Sequence, residues 1–199
     1  MRKSFVLGSV LLAAIPALAA EHAPPEGWRT YRDAQTGFSI DYPREFKVDT
    51  NHDYAALGPG MDIHGVAFMV PSNVAAGTNL SADSYLSVEI FPRAMDCTPK
   101  AFLADPVSMH SVKQDGRDWF MATSSDAGAG NIYDETVYTL AGTAPCIGVR
   151  YFIHSGNIAN YDPGAVHAFD RKSLVATFDK IRATLVPPQA TTEGAIKGG

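Results

Sequence analysis

Large apolar residues recur at every second position in several short runs of this chain, and once at the three-and-four spacing of a helix. The first run, Trp28 to Arg32, is followed by Asp33-Ala34-Gln35-Thr36-Gly37 and then by Phe38-Ser39-Ile40-Asp41-Tyr42. Period-two alternation on both sides of a glycine-bearing turn predicts a β-hairpin, with Phe38, Ile40 and Tyr42 on one face. Pro43 ends its second strand, because proline has no N–H to give to a ladder. Two weaker apolar clusters follow, Phe46-Lys47-Val48 and Val66-Ala67-Phe68-Met69-Val70, separated by a stretch around Gly58-Pro59-Gly60. Residues 71–82 are small and polar and read as a loop. Alternation returns from Tyr85 to Phe91, with Leu86, Val88 and Ile90 on one side. Thr98-Pro99-Lys100-Ala101-Phe102-Leu103 predicts a helical turn, with Thr98 as its cap and Pro99 in its first position.

The strongest β signal lies further on. Arg117–Ser124, Ile132–Leu140 and Cys146–His154 are rich in aromatic and β-branched residues, and the loops between them, Ser125–Asn131 and Ala141–Pro145, are short. Such a series predicts an antiparallel meander, with Val149, Tyr151 and Ile153 facing one way and Arg150, Phe152 and His154 the other. Leu174, Phe178, Ile181 and Leu185 then fall on one helical stripe. Asp170 is placed to cap that helix, Phe169 to pack back on Leu174, and Pro187-Pro188 to stop it. A lone helix must bury its stripe on the sheet, the one large surface available. The expected class is α+β: an antiparallel sheet flanked by helices, in a single domain over 28–186, with a lead-in over 20–27 and a disordered tail over 187–199.

The front of the chain follows a different logic. Arg2 and Lys3 precede an apolar run from Phe5 to Ile15, Pro16 breaks it, and Ala17-Leu18-Ala19 supplies small residues for a peptidase. This is a secretory signal peptide over 1–19, too short before Pro16 for the ~20 apolar residues of a membrane span. Cleavage near Ala19 takes 19 of the 199 residues and leaves 180; Arg2 and Lys3 leave too, so the net charge moves from −5 to −7. The expected location is the periplasm or the outside of the cell. An acidic domain without a basic run is a poor partner for nucleic acid or anionic lipid, and no later segment is long and apolar enough to span a bilayer. Cys97 and Cys146 are the two cysteines. In an oxidising compartment an even pair predicts a disulfide closing a loop of about 50 residues. A nucleophilic thiol or a metal ligand is the competing reading, but neither a CxxC spacing nor an adjacent histidine supports it.

Two segments carry a family resemblance. Tyr31-Arg32-Asp33…Gly37-Phe38-Ser39-Ile40-Asp41-Tyr42-Pro43 resembles the opening hairpin of the PsbP/Mog1-like superfamily. Leu174…Phe178-Asp179-Lys180-Ile181…Thr184-Leu185 is similar to its final helix. The resemblance implies a sheet sandwiched by helices and an accessory or binding role rather than catalysis. It departs at Arg44-Glu45-Phe46, where the family often has a tryptophan, and it carries over no site residues.

Candidate chemistry is sparse. His22, His52, His64, His110, His154 and His167 include no HxH or HxxxH pair, and Asp62 with His64 offers two ligands at most, so no metal or cofactor is expected. No Gly-x-Ser-x-Gly is present. Asp134 and Glu135 are neighbours on a strand and point to opposite faces. Gly128-Ala129-Gly130 reads as a hairpin loop. Trp119, Phe120, Tyr133, Tyr138, Tyr151 and Phe152 put rings on both faces of the sheet; a helix layer over the second face is the expectation, an exposed binding platform the alternative. Among the histidines, His154 is the first to test. The functional expectation is an exported, non-enzymatic accessory or binding protein for an envelope partner or a small ligand. The alternative is an envelope hydrolase whose site assembles only in the fold, and metal storage or delivery is a third possibility.

Overall fold

The computed structural model describes residues 23–91, 97–104 and 108–188. The expected leader over 1–19 and residues 189–199 of the expected tail lie outside them. The predicted hairpin is present as β1 (Trp28–Arg32) and β2 (Ser39–Pro43), paired from Trp28 against Pro43 to Arg32 against Ser39. Its turn is built by Asp33, whose Oδ1 accepts the N–H groups of Gln35 and Thr36 at 3.1 and 2.6 Å. Gly37 closes the turn at φ 82°, a conformation costly for any residue with a Cβ.

β2 is buried on both faces, although its sequence alternates. Phe38, Ile40 and Tyr42 enter the core as expected. The polar side is covered by the chain leaving the last helix. Ser39 exchanges backbone hydrogen bonds with Val186, and the Asp41 N–H donates to Thr184 Oγ1 at 2.8 Å.

The main sheet has seven strands, all antiparallel. They are β3 (Lys47–Tyr54), β4 (Ile63–Met69), β5 (Tyr85–Phe91), β6 (Ser108–Gln114), β7 (Arg117–Gly128), β8 (Asn131–Leu140) and β9 (Cys146–Gly156), in the spatial order β3-β4-β5-β9-β8-β7-β6. The two weak apolar clusters of the sequence are thus β3 and β4. A short helix, α1 (Ser72–Ala75), interrupts the segment read as a loop. The Pro99–Ala101 turn forms with Thr98 ahead of it, but the Thr98 side chain makes no capping bond.

Two features of the meander differ from the sequence reading. β6 was not expected. It is an edge strand with one partner and a largely solvated surface, so it lacks the apolar alternation that marks a covered strand. The predicted Ser125–Asn131 loop shrinks to two residues: the β7–β8 ladder continues to Gly128 against Asn131, leaving Ala129 and Gly130 at φ 50° and 84°. A two-residue turn with both φ values positive matches the twist of its strands.

α2 (Arg171–Ala183) begins at Asp170, whose Oδ1 accepts the Ser173 N–H at 2.9 Å. Leu174, Phe178 and Ile181, with Leu185 just past its end, are buried against Phe68, Leu86, Val88, Val149, Tyr151 and Ile153. Trp119 and Tyr138 complete this face. Buried Arg182 is stacked over the Tyr138 ring at 4.1 Å and donates through Nε to Tyr151 Oη at 2.8 Å.

Among the described residues no α-helix covers the second face; the Pro99–Ala101 turn packs there against β7 and β8. Tyr54 from β3 and the Phe102-Leu103 segment lie across it, packed with Ile63, Ala122 and Val137. One glycine makes the approach of Phe102 possible, and a second lets β4 and β5 come together. A Cβ on Gly148 would stand 2.6–2.9 Å from the Phe102 ring, and one on Gly65 would stand 2.5 Å from the Val88 carbonyl oxygen. Cys97 and Cys146 are joined as a disulfide, their Cα atoms 5.1 Å apart, which ties the Phe102 segment to the start of β9. The class expected from the sequence, an antiparallel sheet with helices, is the class observed.

Candidate functional site

Beneath Tyr54 the sheet holds a buried ion network. Arg150 on β9 donates Nε to Glu89 Oε1 at 2.7 Å and Nη2 to Glu89 Oε2 at 2.9 Å. Nη1 donates to Glu135, and Nη2 also reaches the Phe102 carbonyl at 2.6 Å. Ser87 Oγ donates to Glu89 at 2.7 Å, and Tyr54 Oη to Glu135 at 2.9 Å. The Tyr54 ring lies 3.3 Å above the guanidinium carbon. Arg150 and Glu89 are fully buried. Burial pushes the Tyr54 phenol up; Arg150 pulls it back, and Glu135 raises it further, so it stays a donor. Asp134, as the sequence predicts, points the other way, to Ser125 and Arg171. Glu135 shares a cation with Glu89 of another strand, a pairing no local spacing announces. Every Arg150 nitrogen is engaged within the protein, so this network is structural.

His52 borders it. The imidazole packs edge-on to Tyr85 at 4.7 Å, and its buried Nε2 has no hydrogen-bond partner. Burial lowers its proton affinity, with Glu89 and Asp49 opposing. The charged ring is therefore less favoured in the folded protein than in the unfolded chain. The unfolded chain takes its proton first as the pH falls below about 6.5, and stability declines from that point downward. His52→Phe keeps the ring contact and removes the titration. We expect it to raise the melting temperature at pH 5 more than at pH 8, as read by thermal melts across that range; an equal shift at both would refute the assignment.

His154, the histidine singled out in the sequence, sits at the far end of β9. Nδ1 lies 2.8 and 3.0 Å from the Asp83 carboxylate oxygens, Nε2 lies 3.0 Å from Asn131 Oδ1, and the ring stacks on Tyr133 at 4.4 Å. Burial raises the Asp83 carboxyl, but hydrogen bonds from Ser81 and His154 outweigh it and hold the group below its usual range. An aspartate orienting a histidine is two thirds of a hydrolytic triad. Among the described residues no hydroxyl supplies the third member: Nε2 faces the Asn131 amide, and Ser84 Oγ is committed to the His154 backbone N–H and C=O, both at 3.1 Å. Among the described residues no three His, Cys, Asp or Glu side chains converge as a metal would need. His64, paired in the sequence reading with Asp62, instead bonds to Asp53. No helix among the described residues is long and apolar enough to cross a membrane.

The remaining candidate is a cleft of about 710 Å³ where the hairpin turn meets the β3–β4 ribbon and the end of β5. Phe38, Ile63, Val66, Ile90 and Phe91 supply its apolar lining, and Asp33, Thr50, Asp62 and His64 stand on its polar side. Its size is that of a small-molecule site, with few polar groups around an apolar floor. Sequence reading missed it, since its walls come from four segments, each of which reads locally as ordinary core or turn. A second cleft of about 540 Å³ shares Asp62 and Phe91 with it and is bordered by Leu57, Met61, Lys100 and Leu103.

These features define an α+β protein whose antiparallel sheet carries a helix and a hairpin on one face and a buried ion network on the other. Its structural neighbours include the cyanobacterial PsbP protein CyanoP of Synechocystis sp. PCC 6803, 15% identical, covering 86% of this chain and 99% of that one at a TM-score of 0.44. A protein of Bacteroides thetaiotaomicron VPI-5482 is 13% identical, covering 77% of this chain and 46% of that one at a TM-score of 0.43. No protein-family model matches the chain, and no curated protein matches it.

Proposed function

We propose that this chain is an exported, non-catalytic accessory protein of the cell envelope that holds a small ligand in the cleft between its hairpin turn and the β3–β4 ribbon. The observation that carries this reading is the cleft itself. It combines an apolar lining from Phe38, Ile63, Val66, Ile90 and Phe91 with about 710 Å³ of space. The hydrolase alternative loses support because His154 faces Asn131 and Asp83 rather than a hydroxyl nucleophile. The signal-peptide pattern over residues 1–19 supports export.

Nile red, a neutral apolar dye, is the direct probe. The protein is expected to bind it saturably at one site, with an emission rise. Thr50→Trp places an indole at an exposed position on the cleft wall. It should weaken the dye's affinity at least about fivefold while leaving the urea midpoint unchanged, in line with loss of a buried apolar contact. Dye binding that does not saturate, or that ignores Thr50→Trp, would overturn the reading.

A further inference from the structure

We infer that the cleft selects an amphiphilic cation: an apolar body carrying an ammonium or guanidinium group. This deepens, and rests on, the ligand-binding reading above. The argument begins with the sign of the charges. Asp33 and Asp62 line the cleft, and Asp53 stands beside its His64. No lysine or arginine is among the described residues lining it.

The two lining carboxylates differ in their commitments. Asp33 is held by the turn: its Oδ1 accepts from the Gln35 and Thr36 N–H groups and from Thr36 Oγ1 at 2.7 Å. Burial raises its carboxyl, but these hydrogen bonds lower it further, which keeps it ionised. Asp33 therefore supplies a fixed negative charge without being free to reorient. Asp62 is exposed, and no described residue pairs with it. It is the carboxylate free to take a ligand's cation.

The apolar lining explains why the ligand needs a body as well as a charge. A small inorganic cation would gain nothing from Ile90 and Phe91, and among the described residues no third ligand converges to chelate it. An anionic amphiphile would gain the apolar contact but meet two carboxylates, and like charges repel. The neighbouring cleft has Lys100 on its border and lacks this one-sided charge.

Three probes of matched body separate the possibilities: 4-phenylbutylammonium, 4-phenylbutanol and 4-phenylbutyrate, titrated by calorimetry at low salt. The ammonium should bind tightest and the carboxylate weakest, about tenfold apart, and added salt should narrow that gap. Asp62→Asn should weaken the ammonium about three- to fivefold and leave the alcohol unchanged, the scale of one exposed charge pair. Equal affinity for all three probes, or an Asp62→Asn effect shared by the alcohol, would overturn the charge selection while leaving the cleft as a site. Failure of all three, the alcohol included, would overturn the ligand-binding reading and this inference with it.

Discussion

Arg150→Met is expected to cost about 3–5 kcal/mol of unfolding free energy, the largest effect of any single substitution considered, because it strands two carboxylates under a closed face. Glu89 is fully buried and Glu135 nearly so, and both lean on this one guanidinium. Removing the cation does not return them to water, since Tyr54 and Phe102 still cover them. Arg150→Lys should recover part of the loss only, as an ammonium cannot make the forked contact to both Glu89 oxygens. The decisive comparison is the triple variant Glu89→Gln, Arg150→Met, Glu135→Gln. With no charge left to bury, it should be more stable than Arg150→Met alone, a non-additivity that urea unfolding measures directly. If the single variant unfolds within about 1 kcal/mol of wild type, the scale of an ordinary surface substitution, the network does not hold this face together.

The second large effect concerns the bridge between Cys97 and Cys146. The sequence separation of 49 residues sets the loop, and the chain-entropy account of such a crosslink assigns about 4 kcal/mol. For a chain of this size that is a melting-temperature difference on the order of 10 °C. The bridge also pins the segment carrying Phe102, whose carbonyl accepts from Arg150, so its loss loosens the lid over the ion network. If residues 1–19 direct export as proposed, protein produced with them and taken from the envelope should show no titratable thiol. Leaderless protein retained in a reducing cytoplasm should show two, with the lower melting temperature. Two free thiols in the envelope sample would count against the bridge.

Much of the architecture was legible along the chain. The opening hairpin was marked by alternation on both sides of Asp33–Gly37, and Asp33 does organise that turn through Gln35 and Thr36. The last helix followed from the spacing of Leu174, Phe178 and Ile181 and from Asp170 before it. β7, β8 and β9 were announced by aromatic and β-branched runs. β6 was not, because a strand at the sheet edge is solvated over most of its surface and needs no apolar alternation. β3 was weak for a related reason: its pattern slips at a register shift between Asp49 and His52. The cleft was invisible, since Phe38, Val66 and Ile90 look like any core residues until four segments meet.

Local spacing therefore determined which segments are strands and which is a helix, since a single side-chain period decides which face each segment can bury. What only the tertiary structure decided is how the second face is closed: by Tyr54 and Phe102 over Arg150, Glu89 and Glu135. Those groups lie on separate strands and a distant loop, and the β5–β9 pairing that brings Glu89 beside Arg150 spans 61 positions. Charge pairing at that range is set by strand order, and strand order is a property of the assembled sheet rather than of any one segment.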